Sequence, residues 1–289
     1  MRDYSSWIGK SEERRDVIAP WPAEALHAAL ERPGEPPRKA DPLPPLWRWL
    51  YFLEARRRGE LGRDGHPERG AGLIPPVEQP QRRWVGGRIL FERPLKLGAN
   101  ATRLSTVAGL RRIPEREGTS ALLTLRHETL TADGLIETEE QDIAFRRDPR
   151  PGEAPRAPLA ARADESWRRV WTVDATLLFR FSALTFDSAR IHYDLDYCRE
   201  VEGFNGLVVQ SSLLAVLMLE LTRERGPDRR VRMFEFEAVS PVLHTEAFEV
   251  CGAPWEDEDG LGADLWIRAA GPGGGWGGRL AQTGRVRFV

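Results

Sequence analysis

Asp187 and His192 stand five residues apart in the run Thr185-Phe186-Asp187-Ser188-Ala189-Arg190-Ile191-His192. A carboxylate and an imidazole leaving one element together can share a single water, orient it and move its protons near neutral pH. That chemistry suits adding water to a carbon–carbon double bond, or removing it. The spacing also fits a plainer reading, an aspartate that caps the element before it and a histidine packed in a loop.

Two elements must position the pair. Residues 172–185 are apolar and read as a strand, and residues 206–223 read as a long helix, the most hydrophobic of the chain. Upstream, residues 22–30 read as a short helix opened by proline, and residues 46–58 (LWRWLYFLEARRR) as an amphipathic helix with a basic end. Strand character follows at 84–92, 102–113, 120–131 and 135–146, with Ala132-Asp133-Gly134 as a hairpin signal. After a proline-rich stretch at 148–163, strands are expected at 230–239, 247–251, 263–270 and 279–289. The glycine run 271–278 reads as a flexible turn between the last two.

The order of elements recurs, and Phe91-Glu92 before Pro94-Leu95 is echoed by Phe236-Glu237 before Pro241-Val242. The expectation is an α+β fold made of a duplicated unit, each half an antiparallel sheet wrapped around a central helix. Residues 1–147 form the first half, 148–163 a linker, and 164–289 the half that carries the pair.

Composition narrows the class. The chain has 289 residues, 41% of them hydrophobic, and a formal net charge of −2, which argues against a general nucleic-acid binder. Two cysteines, Cys198 and Cys251, make neither a metal-ligand spacing nor a disulfide framework, so a reducing cytoplasm is expected. No apolar run reaches membrane-spanning length, and the mixed charges of the first residues exclude a secretory signal. No metal or redox cofactor is expected, because no ligand cluster or phosphate-cradling glycine loop stands out.

The quoted residues bring one family into view. The C-terminal half resembles the MaoC-like hydratases and dehydratases, in which an aspartate and a histidine five apart precede a hydrophobic helix that opens on small residues. The whole chain resembles the double-hotdog branch containing hydroxyacyl-thioester dehydratase type 2 and the mesaconyl-CoA and itaconyl-CoA hydratases. The stretches that carry the likeness include Trp7-Ile8-Gly9, Leu43-Pro44-Pro45-Leu46-Trp47, Asp64-Gly65-His66-Pro67, Arg82-Arg83-Trp84-Val85-Gly86-Gly87, Phe181-Ser182-Ala183-Leu184-Thr185-Phe186, Arg190-Ile191-His192-Tyr193-Asp194 and Gly206-Leu207-Val208-Val209. The resemblance implies reversible hydration of an enoyl thioester, with coenzyme A as carrier ahead of acyl carrier protein, catalysed by Asp187 and His192. It implies that backbone N–H groups around Gln210, Ser211 and Ser212 meet the charge on the thioester oxygen. Where the family has His-Gly, this chain has Gln210-Ser211; several members carry asparagine at the place of Asp187, and the broader motif has asparagine and proline at the places of Ala189 and Arg190.

Further candidates stand around the pair. Arg190 could grip a substrate carboxylate or a phosphate, Tyr193 and Asp194 could orient His192, and Val209 could line the substrate pocket. Arg83 and Trp84 could face a ligand where Gly86 and Gly87 permit close approach. The N-terminal half has no acid five residues before a histidine, so it is expected to close the sheet and line the acyl pocket. One chain supplying both halves suits a monomeric pseudo-dimer, and a homodimer is equally compatible. Two other functions share the fold: a thioesterase, and an acyl-thioester binder without activity.

Overall fold

The computed structural model describes residues 4–115, 118–148, 150, 157–226, 228–258, 260–270 and 278–289. Part of the expected linker (149 and 151–156) and the glycine run 271–277 lie outside the described residues. The chain divides into two compact units, Met1–Asp148 with Arg180–Arg190, and Pro149–Phe179 with Ile191–Val289.

The first unit holds β1 (Ser11–Val17), α1 (Pro20–Ala29), β2 (Gln81–Phe91), β3 (Asn100–Glu115), β4 (Gly118–Thr131) and β5 (Gly134–Arg146). Its antiparallel sheet runs β1-β3-β4-β5-β2. The second unit holds β6 (Trp167–Trp171), β7 (Val231–Ala238), β8 (Phe248–Asp257), β9 (Gly260–Ala269) and β10 (Arg279–Phe288). It runs β6-β8-β9-β10-β7, antiparallel throughout. The two orders are the same permutation of five strands, the duplication expected from the repeated elements.

Between β6 and β7 the chain forms α2 (Ala175–Thr185), a single turn α3 (Leu195–Tyr197) and α4 (Ser211–Arg225). Every residue of α4 from Ser212 to Thr222 is buried, so the helix is covered on all sides, and all but Ser212, Glu220 and Thr222 of that stretch are apolar. It packs on β6, β8, β9 and β10.

Two expected elements differ. The stretch 172–185 forms α2 from Ala175 onward rather than a strand, because Asp174 caps the helix: its carboxylate accepts from Leu177 N–H at 2.8 Å and its carbonyl from Leu178 N–H at 3.1 Å. Leu178, Phe181, Ser182 and Leu184 are its buried face, a helical period that the phenylalanines and threonines disguised. Residues 46–58 form no long helix. Leu46 is left-handed, a short 3-10 turn spans Trp47–Leu50, Phe52 is left-handed again, and residues 53–57 take no regular structure before a 3-10 turn at Arg58–Glu60.

Tertiary contacts explain that loss. Trp47, Arg48, Leu50, Tyr51 and Phe52 are all buried, which an amphipathic helix could not achieve. Arg48 forms ion pairs with both Glu137 and Glu139 of β5, and Trp49 Nε1 donates to Glu139 at 3.0 Å. Burial alone would raise the Glu139 carboxyl, but Arg48 and nearby His127 hold it below its usual range. At the other end of the same sheet, Val107, Leu123, Leu125, Ile143 and Phe145 pack with Tyr4, Leu73 and Val77 into an apolar core.

Candidate active site

Helix α2 delivers the motif by the way it ends. Phe186 takes a left-handed φ of 50°, Phe186 N–H donates to Ala183 C=O at 3.4 Å, and Asp187 N–H donates to Ser182 C=O at 2.9 Å. This is a Schellman turn, which closes a helix and sends the chain off at a sharp angle. Asp187 Oδ1 then accepts from Ala189 N–H at 3.0 Å, so one carboxylate oxygen shapes the loop that follows.

The loop is held by the Asp64-Gly65-His66 turn. Ser188 Oγ donates to Gly65 C=O at 2.6 Å, Arg190 N–H donates to Asp64 C=O at 2.9 Å, and Arg190 Nη1 donates to Arg63 C=O at 3.1 Å. Gly65 has a φ of +86°, and a Cβ there would lie 2.0 Å from the carbonyl oxygen of Ser188. A glycine is therefore required on both counts. Within the turn, Asp64 accepts from His66 N–H at 3.1 Å and pairs with His66 Nδ1 at 3.1 Å. Burial pushes the Asp64 carboxyl up, but the hydrogen bond and charge of His66, aided by Arg69, bring it down to about 2.

Arg82 of β2 completes the electrostatics on this side. Burial lowers its pKa, while the carboxylates of Asp64 and Asp187 act in the opposite sense, so a cation stands within reach of the Asp187 charge. Its two neighbours in β2 make local contacts. Trp84 Nε1 donates to Gly86 C=O at 2.8 Å beside a bulge at Trp84/Gly86, and its ring meets Trp49 edge-on at 4.8 Å. Arg83 Nη1 donates to the carbonyl of Arg82 at 2.8 Å.

His192 closes a 3-10 turn spanning Arg190–His192, and it is buried. Its Nδ1 lies 2.7 Å from the carbonyl oxygen of Val208. A carbonyl can only accept, so Nδ1 carries the proton, and in the neutral ring Nε2 is the basic nitrogen. The Val208 carbonyl thereby orients the ring from the Nδ1 side. Tyr193 is exposed, and Asp194 caps α3 by accepting from Tyr197 N–H at 3.0 Å.

The strip 206–209 that holds His192 is itself anchored. Val208 N–H donates to Ile191 C=O at 2.8 Å, Val209 N–H to Val242 C=O at 2.8 Å, and Leu207 N–H to His244 Nδ1 at 3.1 Å. Val209 is buried here. Gln210 follows as the N-cap residue of α4 without a side-chain cap, and its Nε2 instead donates to Leu178 C=O of α2 at 3.2 Å. Ser211 and Ser212 open α4, where the first-turn N–H groups have no partner within a helix and favour negative charge.

Sequence analysis carried Asp64, Gly65 and His66 only as one stretch of the family resemblance and missed their hold on the Asp187 loop, as it missed the proximity of Arg82 to Asp187. The signal for the first was the glycine between two polar residues, a hint of close backbone approach. Nothing local in the sequence could join residue 65 to residue 188. The asymmetry of the halves was legible: the motif and its holding strip lie between α2 and α4, and the first half has no counterpart. Among the described residues, no group of three or more His, Cys, Asp or Glu could hold a metal ion, and no helix is long and apolar enough to cross a membrane.

The repeated five-strand sheets and the enclosed α4 define a double hotdog protein. A solved MaoC-like dehydratase matches with a TM-score of 0.70 at 12% identity, over 98% of this chain and 99% of that one. A conserved hypothetical protein of Mycobacterium tuberculosis with a double hotdog fold matches with a TM-score of 0.60 at 16% identity, over 98% and 96%. Residues 46–244 match the family of hydroxyacyl-thioester dehydratase type 2. The mesaconyl-C(4)-CoA hydratase of Chloroflexus aurantiacus is 38% identical over 272 residues, 94% of each chain. This chain belongs to the hydroxyacyl-thioester dehydratase type 2 family.

Proposed function

We propose that this protein is a hydro-lyase that adds water reversibly to the double bond of a short, branched enoyl-CoA thioester, with a mesaconyl-type dicarboxylic acyl group as the leading substrate. The observation that carries the reading is the hydrogen bond from His192 Nδ1 to the Val208 carbonyl, which leaves Nε2 as a base of fixed direction. The similarity to a mesaconyl-C(4)-CoA hydratase supports the acyl group and the coenzyme A carrier.

In this reading a water held by Asp187 and His192 attacks the β carbon. One of the pair takes the proton that the water loses, and the pair returns a proton to the α carbon, so the reaction neither gains nor loses charge. Negative charge collects on the thioester oxygen as attack proceeds, and the N–H groups of Ser211 and Ser212 at the start of α4 stabilise it. One donor of this kind is commonly worth ~10²–10³ in rate. Arg190 is assigned to the substrate's free carboxylate or a coenzyme A phosphate, with its present bond to the Arg63 carbonyl holding the guanidinium beside the loop.

The test is incubation with mesaconyl-, itaconyl-, crotonyl- and 3-hydroxyacyl-CoA, followed by mass spectrometry. Gain of one water by an enoyl ester, or its loss from a hydroxyacyl ester, is expected. Release of free coenzyme A without double-bond chemistry would replace this reading with thioester hydrolysis.

A further inference from the structure

Among the described residues, three large apolar side chains sit on a left-handed backbone: Leu46, Phe52 and Phe186, with φ of 70°, 58° and 50°. Such a conformation costs a residue other than glycine roughly 1–2 kcal/mol. Leu46 and Phe52 offset that cost in the core, where each is 3% exposed. Phe186 is 58% exposed, so its ring recovers much less from burial in the folded chain. It also occupies the position of the Schellman turn where glycine is the usual residue. The helix end needs nothing from the ring, since the turn is made by backbone groups and Thr185 Oγ1 is bonded to Phe181 C=O at 2.8 Å. A strained, solvent-facing phenylalanine thus stands directly before the carboxylate assigned to the water.

We propose that Phe186 is a specificity-determining residue whose ring packs against the acyl chain of the bound thioester, a contact that offsets in the complex the strain borne by the free protein. The inference rests on the thioester reading above and adds the residue that recognises the acyl group. An acyl chain is the occupant favoured by position, because the next residue, Asp187, works on the β carbon of that same chain. Covering the exposed half of a phenylalanine corresponds to about a five- to tenfold change in affinity.

The experiment compares wild type with Phe186→Gly and Phe186→Leu by calorimetric titration with butyryl-CoA, a saturated thioester that cannot be hydrated, and with free coenzyme A. Thermal unfolding of each variant is measured alongside. Phe186→Gly is expected to bind butyryl-CoA about five- to tenfold more weakly, to bind free coenzyme A as wild type does, and to melt at or above the wild-type temperature. Phe186→Leu, apolar but smaller, is expected to fall between the two in butyryl-CoA affinity. Unchanged butyryl-CoA binding by Phe186→Gly overturns the inference, as does equal weakening for free coenzyme A, which would put the ring on the carrier. A lower melting temperature for Phe186→Gly also overturns it, by showing that the ring serves the fold. A wild type that binds butyryl-CoA but turns over no enoyl thioester would sink the hydratase reading and leave the Phe186 contact standing.

Discussion

Ser188 rests directly on Gly65: its hydroxyl donates to the Gly65 carbonyl at 2.6 Å, and its own carbonyl oxygen would lie 2.0 Å from any Cβ added there. The loop carrying Asp187 is thereby set by a turn more than a hundred residues earlier in the chain. Gly65→Ala brings a steric clash together with a left-handed backbone that alanine disfavours. Its expected cost is about 2–4 kcal/mol, read from urea unfolding, with hydration falling further than the stability loss explains. Ser188→Ala removes one hydrogen bond without a clash and is expected to cost only about 1 kcal/mol.

Asp187 serves the turn through Oδ1, and asparagine offers the same acceptor to Ala189 N–H. Asp187→Asn is therefore expected to unfold within about 0.5 kcal/mol of wild type, while hydration falls through loss of the charge. Asp187→Ala loses both. A variant in which activity and stability fell together would assign Asp187 to the fold alone.

Acid stability should report two groups with opposite charge types and the same sign. Asp64 is held down to about 2, below the ordinary carboxyl value, so the unfolded chain takes up its proton first as pH falls. Its contribution, about 2 kcal/mol, is complete above the unfolded value and is lost as pH drops toward 2. Asp64→Asn should flatten that part of the stability profile.

His127 is pushed down to about 4, chiefly by burial, and its Nδ1 lies 2.8 Å from Ser105 Oγ. Here too the unfolded chain binds the proton more readily, so stability is full above the unfolded histidine value and falls between it and pH 4. His127→Gln is expected to remove the slope in that window while leaving the lower one. Unfolding of both variants by urea across pH 2–7 separates the two, and an unchanged slope in His127→Gln would contradict the buried neutral imidazole.

Much of this molecule was legible beforehand, and the exceptions share a physical cause. The strands of the two sheets and α4 show clear apolar periods that match what they bury. β1 and β6 were missed because both are end strands that bury little: SEERRDV is charged, and WRRVW is short with no fully buried residue. α2 was misread because Phe and Thr favour strands, while Asp174 announced a helix start that outweighed them. The 46–58 segment was misread because its aromatics satisfy a core on every side and Arg48 meets two glutamates from distant β5. Asp187 and His192 were singled out by their local spacing, and the Gln210-Ser211-Ser212 stretch only by the family resemblance. Gly65, Asp64, Arg82 and the Val208 carbonyl act through contacts that no local pattern encodes.

The central claim is that one carboxylate and one imidazole work on the same water, and a double-mutant cycle tests it most directly. The kcat/KM for hydration of mesaconyl-CoA would be measured in wild type, Asp187→Ala, His192→Ala and the double variant. Each single change is expected to cost ~10²-fold or more, and the double variant to be little worse than the poorer single, because groups that act as one unit are not additive. If either single variant kept its rate within about tenfold of wild type, or if the two losses multiplied, the shared-water account would be contradicted.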